Sequence, residues 1–196
     1  MKKLALALSL ALSGLIMAGS AAATEPDGYI PHGMTIYGRL ETAKSGCTVL
    51  MSQYVINLTH TDTHLPDQGT ADGASQADSH MYIQLGGEHC DAEENYSKIG
   101  LKFLGQADNI DGSTLANTST GSNAASGIGI QLTDINNNIL TPNVTVSKFL
   151  ENANAGTNPT NLTASFPLYL TLVKLKNQGV KAGNVQTNMT VQIERL

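Results

Sequence analysis

Along most of the chain, apolar and polar positions alternate in short runs, and no stretch repeats apolar residues at the three-to-four spacing of a helix. The runs predict strands over Met34–Thr42, Thr48–Leu58, Met81–Leu85, Ile99–Gly105, Ile128–Thr133, Leu162–Leu175 and Val185–Ile193. Turn-forming clusters such as "DNIDGS", "DINNN" and "NAGTNPTN" separate them. Several short strands spaced by turn signals fit an all-β fold, an immunoglobulin-like sandwich of two antiparallel sheets.

The two outermost strands differ from the rest. In "GNVQTNMTVQIERL" one face collects Val185, Thr187, Met189, Val191 and Ile193, and the other is mostly polar. No strand is expected after Leu196, so this final strand should present a bare edge, which invites aggregation unless it is covered. In "MTIYGRLET" the apolar row is Met34, Ile36, Gly38 and Leu40. A glycine inside a strand costs stability and marks a place where something approaches the backbone closely. The front strand could pair with the last one inside a single molecule. Supplied by another molecule, it would instead give a head-to-tail contact that does not close and so builds a filament. On pattern alone the two arrangements are equal.

The connections are polar. Thr59–Ser79, "THTDTHLPDQGTADGASQADS", is as long as a loop becomes without structure of its own and is expected to be an exposed excursion. Ser113–Ser126 is a second polar connection of uninformative composition.

Lys2 and Lys3, the apolar run Leu4–Met17 and the small residues of "AGSAAAT" form the three parts of a secretory signal peptide, with cleavage expected after Ala23. The run is shorter than the ~20 apolar residues a spanning helix needs. What remains suits one domain, and its acidic balance, −5 for the whole chain, gives no electrostatic footprint for nucleic acid or anionic lipid. The two cysteines, Cys47 and Cys90, fall in the exported part, where an oxidising compartment favours one disulfide. In the loop-entropy model such a bridge stabilises by roughly 4 kcal/mol. Reactive or metal-binding thiols are the competing reading, without a close CxxC pair or a nearby basic residue to support it.

Other chemistry is sparse. His60 and His64, with Asp62 between them, could ligate a metal together with His32, His80 and His89, but 60 and 64 share a face only on a helix, and Thr, Asp and Pro here favour a loop. Asp91, Glu93 and Glu94 are adjacent charges in a polar turn, and no nucleophile, base and orienting group can be assembled. The sequons at Asn57 and Asn161 matter only where eukaryotic-type glycosylation operates. No enzymatic activity, metal or cofactor is expected.

Several blocks in order carry a resemblance: "IYGRL", the cysteine shortly after it, "YIQLGGEHC", "LKFLGQAD", "SGIGIQLTDINNNIL" and a C-terminal strand introduced by Gly183. Over essentially the whole mature sequence the chain resembles a chaperone–usher fimbrial subunit, a type 1-like pilin. The resemblance implies an immunoglobulin-like sandwich that lacks its final strand and has an apolar groove beside its C-terminal strand. It divides the chain into a signal peptide (1–23), an N-terminal extension or donor strand (24–44) and a pilin domain (45–196). The donor residues would be Met34, Ile36, Gly38 and Leu40, with Gly38 at the shallow point of a neighbour's groove. The groove and chaperone contacts would be Gly183, Val185, Met189, Val191, Ile193 and Leu196. Implied partners are neighbouring subunits, a periplasmic chaperone that grips the final carboxylate, and an outer-membrane usher. The product would be a cell-surface fimbrium supporting cell adhesion. Arg195 stands where the family usually has tyrosine. A minor or tip-associated subunit that binds a host ligand, and a self-contained periplasmic immunoglobulin-like binding domain, are the alternatives.

Overall fold

The computed structural model describes residues 47–56, 58, 64–87, 97–149, 151, 153 and 164–196. These contain eight strands, β1 (Thr48–Met51), β2 (Ser79–Gly86), β3 (Ile99–Gly105), β4 (Leu115–Ala116), β5 (Ile128–Thr133), β6 (Val146–Lys148), β7 (Ser165–Lys174) and β8 (Met189–Arg195), and one short helix, α1 (Gly73–Gln76). The sequence-based strand Met34–Thr42, the signal segment, Cys90, His32, His60, His89, Asp62, Asp91, Glu93, Glu94, Asn57 and Asn161 lie outside the described residues.

Alternation explains the strands and the sandwich together. In β2, Met81, Ile83 and Leu85 are buried while His80 and Tyr82 stand on the other face in solvent. β7 is longer and turns Phe166, Leu168, Leu170 and Leu172 the same way. One antiparallel sheet has the order β1-β2-β7-β5-β4, and a second has the order β6-β3-β8. Ile99, Leu101 and Phe103 of β3 face the first sheet's apolar row across the core. Phe166 ties the layers together, with its ring centroid 6.1 Å from Phe103 and 6.4 Å from Phe149. Among the described residues the architecture is the expected all-β, immunoglobulin-like sandwich short of a strand.

Three expectations need correction. The first strand stops at Met51, short of Leu58, because Ser52 leaves the ladder. Its backbone N–H donates to the Tyr82 carbonyl at 2.9 Å, but its hydroxyl oxygen, rather than its carbonyl, accepts from the Tyr82 N–H at 2.9 Å. Tyr54 and Val55 then project into solvent, and Ile56 and Leu58 return to the core.

The described part of the 59–79 connection is no exposed excursion. Residues 66–68 pair by main chain with the end of β7, and residues 69–73 lie over the outer face of β5. Gln68 N–H donates to the Lys174 carbonyl and Lys174 N–H to the Pro66 carbonyl, both at 2.9 Å. Gly69 N–H donates to Gln131 Oε1 at 2.8 Å, and Gln131 Nε2 donates to the Ala71 carbonyl at 3.1 Å. Asp72 caps α1, whose first residue, Gly73, packs so tightly on Thr133 that any Cβ there would overlap it. With the core on its inner face and this cover over Gln131 and Thr133 on its outer face, all six residues of β5 are buried.

The last strand starts at Met189 rather than Val185 and runs to Arg195. Residues 183–188 precede it in extended but irregular form, held by another segment of the chain as described below. Two strands of two and three residues, β4 and β6, were too short to show any periodicity in the sequence.

Candidate functional site

β8 sits at the end of the three-stranded sheet. Among the described residues its ladder partner is β3 alone. The register runs from Ile99 opposite Arg195 to Gly105 opposite Met189, and the Leu196 N–H continues it by donating to the Lys98 carbonyl at 2.9 Å. Antiparallel partners alternate between bonded and non-bonded pairs. The peptide groups of Glu194, Gln192 and Thr190 therefore point to β3, and those of Met189, Val191, Ile193 and Arg195 point to the opposite side.

The same odd-numbered residues face the core. Thr187, Met189 and Val191 are buried, Val185 and Ile193 are half-buried against the core cluster, and Leu196 is 53% exposed. Burial thus declines toward the chain's last residues. β1, the edge of the other sheet, touches β8, so two sheet edges meet here. Among the described residues the arrangement presents a row of peptide groups turned away from β3 beside a one-sided apolar row.

The segment before β8 is held by residues that sequence reasoning missed. Asn117 uses its whole amide. Nδ2 donates to the carbonyls of Ala125 (2.9 Å) and Asn184 (3.0 Å), and Oδ1 accepts from the N–H groups of Gln186 (2.8 Å) and Ser119 (3.0 Å). Gly183 lies so close to the 123–125 backbone that a Cβ would fall 2.5 Å from the Asn123 carbonyl oxygen. The glycine before the last strand is there for that close approach. No local signal marks Asn117, because its partners are up to 69 residues away.

A second polar knot fastens the 64–78 cover to the turn "DNIDGS". Buried Asp108 accepts from the N–H groups of Ile110 (2.8 Å), Asp111 (3.0 Å) and Thr114 (3.0 Å), from the Thr114 hydroxyl (3.0 Å) and from Gln68 Nε2 (3.1 Å). Burial raises its pKa, but the backbone hydrogen bonds outweigh burial and the net direction is down. Asp111 binds Lys176 Nζ at 2.6 Å, and that bond is the main reason its carboxyl falls to about 2. These acids are committed to holding the chain. Among the described residues no cluster of His, Cys, Asp and Glu could hold a metal. His64 is exposed, and the His80 ring packs edge-on to Tyr82 at 5.4 Å between centroids.

The structure thus brings Val185, Met189, Val191 and Ile193 onto one inward row, places Gly183 behind them and leaves Leu196 at the rim. Cys47 is buried, and no described cysteine is free. The donor residues Met34, Ile36, Gly38 and Leu40 are outside the described residues. The family model for fimbrial proteins matches residues 34–194, and the chain belongs to that family. Its members are structural pilins that assemble with other pilin subunits into surface-exposed pili. A comparison with curated proteins finds no match.

Proposed function

We propose that the chain is a structural pilus subunit that polymerises by donor-strand exchange. The segment containing Met34, Ile36, Gly38 and Leu40 of one subunit lies along β8 of the next. The observation that carries this reading is the coincidence, on β8, of an inward apolar row with peptide groups turned away from β3. An extended chain with period-2 apolar residues meets both at once, by main-chain hydrogen bonds and by pockets for alternate side chains. Gly38 sits where the groove is shallow.

Before assembly a periplasmic chaperone covers the same edge as far as Leu196, and an outer-membrane usher then receives the subunit. Export uses the signal peptide 1–23, and the oxidising periplasm joins Cys47 to Cys90. The assembled fimbrium supports adhesion.

The experiment is replacement of Gly38 by Leu. Overpacking of this kind costs ~1–3 kcal/mol or more at the point of contact, and it falls on the donor rather than on the fold. The variant should co-purify with the chaperone as well as wild type does, and its ladder of polymers on a gel run without boiling should disappear. Polymerisation at the wild-type rate would assign the front strand to its own subunit's sheet. For the bridge, fimbriae treated with an alkylating reagent should label no cysteine before reduction and both after it. Labelling without reduction would refute the pairing.

A further inference from the structure

We propose that the outer face of the first sheet carries a binding site for an uncharged sugar ring, built on Tyr82, Gln84 and Ser165. The inference goes beyond strand addition and does not depend on it. Together with Leu50, Met51 and Ser52 these residues line a depression of about 350 Å³. The ladders bring them together, since Gln84 stands opposite Leu50 of β1 and opposite Ser165 of β7. Tyr82 is the next residue of β2 on the same face. His80 packs edge-on against its ring, with 5.4 Å between centroids and 80° between planes, and lies 6.3 Å from the ring of Tyr169. Leu50 leans over Gly86, where a Cβ would stand 3.0 Å from its Cδ1, on the far side of Gln84 from Tyr82.

The chemistry of the lining selects the ligand. None of the lining residues is charged. The Gln84 amide and the Ser165 hydroxyl make no hydrogen bond to any described residue, whereas Gln131, outward on the same sheet, commits both ends of its amide to Gly69 and Ala71. Two uncommitted polar groups beside an exposed ring suit a molecule that carries hydroxyls around a flat C–H face. A wholly apolar ligand would instead cover the amide without satisfying it, which costs free energy. A peptide strand needs an open sheet edge, and β2 lies inside its sheet with a ladder on either side. The volume is at the small end of ligand pockets, which begin at about 300 Å³, and holds a ring rather than a folded partner. So open a site binds a single ring weakly. A pilus repeats it in every subunit, and many weak contacts on one filament add by avidity.

The test is saturation-transfer NMR on native fimbriae, with the methyl glycosides of glucose, galactose, mannose and N-acetylglucosamine as probes at millimolar concentration. At least one should receive saturation, strongest at the protons of its C–H face. Its affinity should fall about tenfold in Tyr82→Ala and in Gln84→Ala, the change expected from losing one or two contacts. Val144→Ser, an exposed change outside the depression, should bind as wild type does.

Should Tyr82→Ala subunits not assemble, the comparison is read on Gln84→Ala and Ser165→Ala. Absence of transfer to every probe would overturn the inference. So would a probe that binds wild type and both variants equally. Fimbriae of Gln84→Ala that dissociate at a lower temperature than wild type, while no probe binds, would assign the face to a neighbouring subunit and overturn it as well.

Discussion

At the scale of single residues, stability is concentrated in polar side chains that close loops. Asp108 holds three backbone N–H groups of one turn and the amide of Gln68, forty residues earlier in the chain. Asp108→Ala should leave the three N–H groups without that acceptor and cost ~1–3 kcal/mol or more, read from the midpoint of denaturant unfolding. The acid response follows from the same knot. Asp111 has its folded pKa depressed to about 2 and Asp108 moves in the same direction, whereas an unfolded aspartate titrates near ~3.9. Their contribution is complete above roughly pH 4 and disappears as pH falls through that value toward about 2. Thermal melts should fall over this window, and less steeply in Lys176→Met, which lacks the chief cause of the Asp111 depression. Equal slopes would remove Asp111 from the account. The turn itself was legible in "DNIDGS", since Asp, Asn, Gly and Ser each favour turns for a local reason. Neither Gln68 nor Asn117 was, because what makes them matter is a partner brought near only by the fold.

At the scale of elements, the strands with clean alternation were legible, but the end of the first strand and the start of the last were not. Ile99–Gly105 and Ile128–Thr133 match β3 and β5 residue for residue, because each has an apolar row on one face, turned to the core, that fixes its register. The first strand ended early through one serine hydroxyl, and the last began late because a neighbouring loop, not a strand, supports residues 183–188. Such events depend on the partner and leave no periodicity behind. The core between the sheets centres on Phe166, wholly buried between Phe103 and Phe149. Phe166→Ala should cost ~3–5 kcal/mol and lower the yield of folded subunit. Ile193→Asp acts on β8 itself, putting a charge among apolar neighbours without a partner. It should abolish recovery of the subunit from the periplasm, in contrast to Gly38→Leu, which should be recovered but unpolymerised. Recovery of Ile193→Asp at wild-type levels would mean that residue 193 does not face the core.

At the scale of the whole molecule, the family was legible in advance because several blocks of sequence occur in the right order, and the family match over 34–194 agrees with them. Of the candidate site, the inward apolar row of the last strand was legible. The alternation of "NMTVQIER" already placed Met189, Val191 and Ile193 on one face, and the sheet order then put that strand at an edge. The proposed donor residues lie outside the described residues. The central claim is that β8 of one subunit is completed by residues 34–42 of another. Electron cryo-microscopy of native fimbriae tests it most directly. The account predicts continuous density for an extended segment along the side of β8 away from β3, connected to the adjacent subunit and carrying Gly38 at its closest approach to the groove. A segment traced back to the same subunit, or a β8 edge with nothing beside it, would contradict the account.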